Sequence, residues 1–152
     1  MNFMRFKMII MKYGFLLFIF LVPALEACRF EHKVVEEAFP DGSPKHVCIY
    51  RGKGQERQLI MEIFFYSNGQ KRMEGSYKDK KRDGMWTYWY ENGNLWSQGT
   101  YANGQSEGKR TTYFENGKIR YEGSYKQDMR VGKWKFYDET GKLLGEKDYS
   151  AP

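Results

Sequence analysis

Few side chains in this sequence have the types and spacing that reaction chemistry needs. Cysteine occurs twice, as Cys28 and Cys48, and histidine twice, as His32 and His46. That spacing offers no metal-ligand set and no cofactor motif. Glu74 and Glu122 fall at matching places in a repeat, with Gln98 between them, so the repeat itself accounts for their recurrence. No nucleophile elbow, phosphate loop or paired histidine is present, and the sequence reads as non-enzymatic. What remains is recognition chemistry. One row of aromatics, Trp86, Tyr88, Tyr90, Trp134 and Phe136, has Trp89, Tyr113 and Tyr137 behind it. Rings spaced this way suit contact with a protein partner. Lys78, Lys80, Lys81 and Arg82 form a basic run whose simpler reading is a solvated loop and whose functional reading is an anionic lipid surface or an acidic partner.

The elements that place these residues come from a repeat of 24 residues. Tyr66-Ser67-Asn68-Gly69, Tyr90-Glu91-Asn92-Gly93 and Phe114-Glu115-Asn116-Gly117 open successive steps. Gly75, Gly99 and Gly123 each begin a Gly-(Ser/Thr)-Tyr triplet, so Tyr77, Tyr101 and Tyr125 fall in register, and Gly84, Gly108 and Gly132 follow. Asn-Gly supplies the positive φ of a tight hairpin turn. A polar loop is expected over Asp79 to Asp83, and strands over Lys71 to Lys78 and Met85 to Tyr90. Two strands and two turns per step predict an all-β, elongated antiparallel meander of hairpins, a single-layer twisted sheet. Alternation puts Trp86, Tyr88 and Tyr90 on one face and Met85, Thr87 and Trp89 on the other. Aliphatic residues are scarce between 66 and 137, so stability should come from aromatic ladders and strand pairing.

The patterns Gly75-x-Tyr77, Gly84-x-Trp86-x-Tyr88 and Asn92-Gly93, repeated as Gly123-x-Tyr125 and Gly132-x-Trp134-x-Phe136, resemble the MORN-repeat variant found in many bacterial proteins. The middle repeat departs, with Arg110 and Thr112 where that family prefers aromatics. The resemblance implies a hairpin-repeat scaffold. It also implies two functional options: an antitoxin or immunity protein, because variant proteins of this kind often carry that label, and a membrane-apposed module, because related eukaryotic proteins associate with membranes.

Residues 1–27 read as a signal peptide. Arg5, Lys7 and Lys12 make a basic n-region, and Tyr13 to Val22 is an apolar stretch too short to span a bilayer. Leu25-Glu26-Ala27-Cys28 resembles the lipobox of bacterial lipoproteins, which implies lipidation at Cys28 and an anchored protein of the cell envelope, facing periplasm or cell surface, or otherwise a secreted one. Met11-Lys12 would itself make a compact signal start, so the sequence leaves the initiator open between Met1 and Met11. If Cys28 is acylated, Cys48 stands alone in a strand as a buried thiol; if not, the two can pair as a disulfide in an exported chain. Residues 28–65 are a degenerate N-terminal repeat, in which Phe39-Pro40-Asp41-Gly42 matches Tyr66-Ser67-Asn68-Gly69. Residues 66–137 are three repeats, and residues 138–152 a C-terminal half-repeat in which Thr140-Gly141 replaces Asn-Gly and Lys147 and Asp148 blunt the last edge.

The net charge is +6, and removing residues 1–27 leaves 22 basic and 18 acidic residues, a charge of +4. This mild basicity, with both signs interspersed, suits a soluble surface; basic residues interleave with aromatics as in nucleic-acid stacking platforms, but the expected export argues against nucleic acid. The sequence therefore predicts an exported, lipid-anchored scaffold that binds an unidentified protein, a toxin among the candidates.

Overall fold

The computed structural model describes residues 30–150. Ten strands follow one another in one open sheet: β1 (Glu31–Ala38), β2 (Pro44–Arg51), β3 (Gln58–Phe65), β4 (Lys71–Lys78), β5 (Lys81–Trp89), β6 (Leu95–Ala102), β7 (Gln105–Tyr113), β8 (Ile119–Lys126), β9 (Met129–Tyr137) and β10 (Leu143–Asp148). Their spatial order equals their chain order, and every neighbouring pair is antiparallel. This is the meander that the 24-residue period predicts. The degenerate segment before Tyr66 contributes three strands, with a single 3-10 turn at Gly54–Glu56 inside its longer loop. The expected signal peptide, Cys28 included, lies outside the described residues.

The two ends of the strands use different turns, and here the structure corrects the sequence reading. At Asn-Gly the turn is wider than a two-residue hairpin: the Gly69 amide donates to the Tyr66 carbonyl, and the Tyr66 amide to the Gln70 carbonyl. Gly69, Gly93 and Gly117 take the positive φ, while the asparagines do not. Each asparagine instead ties its turn down. Asn68 Oδ1 accepts from the Gln70 amide, and its Nδ2 donates to the Glu91 carbonyl one repeat onward at 2.8 Å. Asn92 and Asn116 repeat both contacts, to Glu115 and Glu139. Asn is favoured here because a short amide side chain reaches backbone on both sides. The two-residue turns lie at the opposite strand ends, at Asp79-Lys80, Asn103-Gly104 and Gln127-Asp128, all with positive φ, as in type I′ hairpins. The polar loop expected over Asp79 to Asp83 is thus only two residues long, and Lys81 to Asp83 already belong to β5. Pairing of Lys78 with Lys81 and of Lys126 with Met129 holds Lys80 and Gln127 in a conformation their side chains do not favour.

A second device recurs with the repeat. Register slips by one residue at Arg72, Trp96, Arg120 and Leu144, because Phe64 pairs with Met73 and Phe65 with Lys71, and the later strands follow suit. Each is a β-bulge, which adds one residue and turns it onto a face that simple alternation would not give it.

Candidate functional site

The pairing brings Glu62, Gly75, Trp86, Gly99 and Arg110 into one row across β3 to β7. Gly123, Trp134 and Lys147 continue it. Large and absent side chains alternate along this row, so each indole lies flat over the glycine beside it. A Cβ on Gly75 would come 2.1 Å from Trp86 Cδ2, and one on Gly123 2.2 Å from Trp134 Cδ2. Trp86 and Trp134 are fully buried, with no exposed surface. Their indole N–H groups donate to the Ser76 and Ser124 carbonyls at 3.2 Å, which satisfies the one polar atom such a ring buries.

The tyrosine row runs alongside. Tyr77 and Tyr101 meet Trp86 edge-on at 5.4 and 5.9 Å between centroids, and Tyr125 and Tyr149 meet Trp134 at 5.1 and 6.1 Å. Arg82 covers Trp86 at 4.0 Å and Arg130 covers Trp134 at 4.6 Å. In the middle repeat Arg110 takes the tryptophan's place. Its guanidinium lies between Tyr101 and Tyr125, 5.3 and 5.2 Å from their ring centres, and donates to Tyr101 Oη at 2.9 Å. Burial pushes the Tyr101 phenol up, and Arg110 and Arg82 outweigh it, leaving the phenol below its ordinary value. The aromatic ladder is therefore continuous from Tyr77 to Tyr149, with a cation–π link where the sequence pattern lacks an aromatic.

The eight aromatics singled out from sequence separate by face as alternation predicts. Trp86, Tyr88, Tyr90, Trp134 and Phe136 share the tryptophan face. Trp89, Tyr113 and Tyr137 share the other, where Gln98 Nε2 donates to Tyr113 Oη at 3.4 Å and Tyr137 Oη donates to Glu122 at 3.2 Å. Trp86 and Trp134 form the floor and offer no contact surface themselves. The residue missed from sequence is Trp96, 44% exposed and packed edge-on against Tyr88. The signal for it is present, since Arg72, Trp96 and Arg120 hold the same place in consecutive repeats. The basic run also divides: Arg82 is withdrawn onto Trp86 and donates to Tyr88 Oη at 3.3 Å, whereas Lys78, Lys80 and Lys81 stay exposed at the hairpin tip.

Two clusters bring together titratable groups of the types that chemistry uses. Cys48 Sγ lies 3.4 Å from His46 Nε2, and Glu62 Oε2 lies 3.5 Å from the same nitrogen. A relay needs thiol and carboxylate on opposite nitrogens of the ring; here they share one. Burial also pushes the thiol above its ordinary value, the reverse of what a nucleophile requires. His46 is stacked 3.9 Å from the Phe64 centroid and Tyr77 donates to Glu62, so the cluster is packing. On the other face, Lys109 donates to Glu122 at 2.8 Å and holds its carboxyl below the ordinary 4.5, helped by Tyr137. A lowered folded-state value contributes stability that is complete above pH 4.5 and is lost as pH falls through the lowered value. Glu122→Gln should therefore show a flatter acid limb in a stability–pH profile. Solvent around the exposed Lys109 keeps the difference below about 1 kcal/mol. Among the described residues no group of three or more His, Cys, Asp or Glu is arranged to hold a metal.

No curated protein was found to match the chain. A family model described as the MORN repeat variant matches four segments, residues 61–79, 82–103, 106–127 and 130–151. These are the strands β3 to β10, with the tryptophan rows and asparagine turns described above, and the chain belongs to the MORN repeat variant family.

Proposed function

We propose that this repeat protein is a non-enzymatic scaffold that binds a protein partner along the tryptophan face. One observation carries the reading: among the described residues nothing covers that face of the single sheet, and its aromatic row carries the exposed indole of Trp96. An open aromatic surface on a rigid floor is the usual composition of a contact site. Export and anchoring through Cys28 rest on the sequence of residues 1–28 and complete the proposal, placing the scaffold at a bacterial envelope membrane. Within it, an immunity role against a toxin is the narrower option, supported by the family resemblance. The membrane-apposed option draws on Lys78, Lys80 and Lys81 at their exposed tip; the withdrawal of Arg82 onto Trp86 weakens it.

The test is cross-linking and capture of the full-length protein from its native cells. A single dominant protein is expected, in the membrane fraction. Trp96→Ala should reduce its recovery about tenfold with the circular dichroism spectrum unchanged, and Cys28→Ser should move the complex out of the membrane fraction. Undiminished capture by Trp96→Ala would move the contact to the other face. Recovery of lipid and no protein would favour the membrane-apposed option.

A further inference from the structure

Ser97 and Thr112 interrupt the aromatic row that runs beside the tryptophans. Pairing aligns Met73, Tyr88, Ser97, Thr112, Tyr121 and Phe136 across β4 to β9. Two short hydroxyl side chains therefore stand where the flanking repeats carry Met73 and the rings of Tyr88, Tyr121 and Phe136. They leave a notch of about 280 Å³ lined by Tyr88, Trp96, Ser97, Arg110, Thr112 and Tyr121. Its floor is the pair Ser97 Oγ and Thr112 Oγ1, 3.4 Å apart, and Thr112 is only 3% exposed. Tyr88 and Tyr121 are the walls and Trp96 the lip. Arg110 supplies the charge, with one N–H committed to Tyr101 out of the five a guanidinium carries. A space of this size is below the range of whole small-molecule sites and matches a side chain or two.

The charge around the notch is of one sign. From β4 to β10 the tryptophan face carries Arg72, Arg82, Arg110, Arg120, Arg130 and Lys147. Arg72 and Arg120 reach it through their bulges, over the Phe64 and Phe114 rings. Among the described residues no carboxylate of these strands shares that face. Glu74, Glu107, Glu122, Glu146 and Asp148 pair in register with Thr87, Thr100, Thr111, Lys135 and Lys133 of the opposite face, and Asp83 is turned to the Asn103 amide. In a sheet that is otherwise mixed in charge, this segregation selects an anionic partner.

The geometry points to the notch as the anchor site for an acidic segment of the protein partner: an Asp or Glu carboxylate on Arg110 and the two hydroxyls, with a neighbouring apolar side chain between Tyr88, Trp96 and Tyr121. This deepens the scaffold reading and rests on it. A guanidinium flanked by hydroxyl donors suits a carboxylate. The recessed floor favours an inserted side chain over a lipid headgroup layer, which presents charge on a broad surface.

The test is a titration of the full-length chain with a fluorescein-labelled peptide alternating glutamate and leucine, read by anisotropy, with the glutamine counterpart as control. Saturable binding of the acidic peptide alone is expected. Thr112→Phe should weaken it about tenfold or more, because it restores the ring that Phe136 provides beside Tyr121 in the next repeat and so fills the notch while keeping the fold. Arg110→Lys should weaken it similarly by losing the planar fork. Equal binding of the glutamine peptide, or wild-type binding by Thr112→Phe, overturns the proposal. So does binding of phosphatidylglycerol vesicles or an oligothymidylate in the peptide's place. If the captured cellular partner is still recovered with Thr112→Phe, the notch proposal falls and the scaffold reading stands; if the wild type captures no protein, the scaffold reading falls and the peptide titration alone decides the notch.

Discussion

Gly75→Ala is expected to lower the unfolding free energy by about 3 kcal/mol, whereas Gly99→Ala should cost no more than about 1 kcal/mol. Both glycines are buried at the same place in consecutive repeats, and neither has a positive φ, so backbone freedom does not separate them. The difference is what lies overhead. The methyl of an alanine at Gly75 would sit 2.1 to 2.6 Å from three atoms of the Trp86 indole. That rigid ring has no exposed surface and is held by Tyr77, Tyr101 and Arg82. It cannot yield without unseating all three. The methyl at Gly99 would meet Arg110 Nε at 2.8 Å, a flexible side chain that lifts by rotation. Urea denaturation of the two variants checks this. Equal losses would show that the glycine row is needed for something other than the tryptophans.

Trp134→Ala is expected to cost about 3 to 5 kcal/mol, the usual penalty for emptying a fully buried indole site. The damage should stay local. Strands pair only with their sequence neighbours, and in such an array stability is close to a sum of unit and interface terms. Trp134 holds Tyr125 on β8 and Tyr149 beyond β10, so amide exchange should accelerate across β8 to β10 while β2 to β5 keep their protection. Trp86→Ala should reverse the pattern, loosening β4 to β6 first. Uniform acceleration along the sheet in either variant would mean that the ten strands unfold as one cooperative unit.

The meander and its faces were legible in the sequence because both depend on counting. A 24-residue period brings Gly75, Gly99 and Gly123 into phase and sets Tyr77, Tyr101 and Tyr125 in register, and alternation sends Trp89, Tyr113 and Tyr137 to the far side. What escaped is what breaks the count. The bulges at Arg72, Trp96 and Arg120 each insert one residue, so Trp96 joins Tyr88 and Tyr90 on a face that alternation denies it. The left-handed turns at Asp79-Lys80 and Gln127-Asp128 carry no glycine, because the strands on both sides impose them. Arg110 looked like a gap in the ladder on residue type alone. Only its position between two phenol rings shows that a cation can fill an aromatic's place. The burial of Trp86 and Trp134 was equally hidden, since it depends on glycines across the strand pair.

The asparagine turns make the length of the array a free variable. Each reaches one repeat forward to a backbone carbonyl, from Asn68 to Glu91, Asn92 to Glu115 and Asn116 to Glu139, and a carbonyl is offered by any residue. A duplicated block of 24 residues would find its socket already waiting and leave a new one behind. Growth by copying therefore needs no redesign of a core. Individuality is confined to places where one copy has drifted from the others, as at Ser97, Arg110 and Thr112.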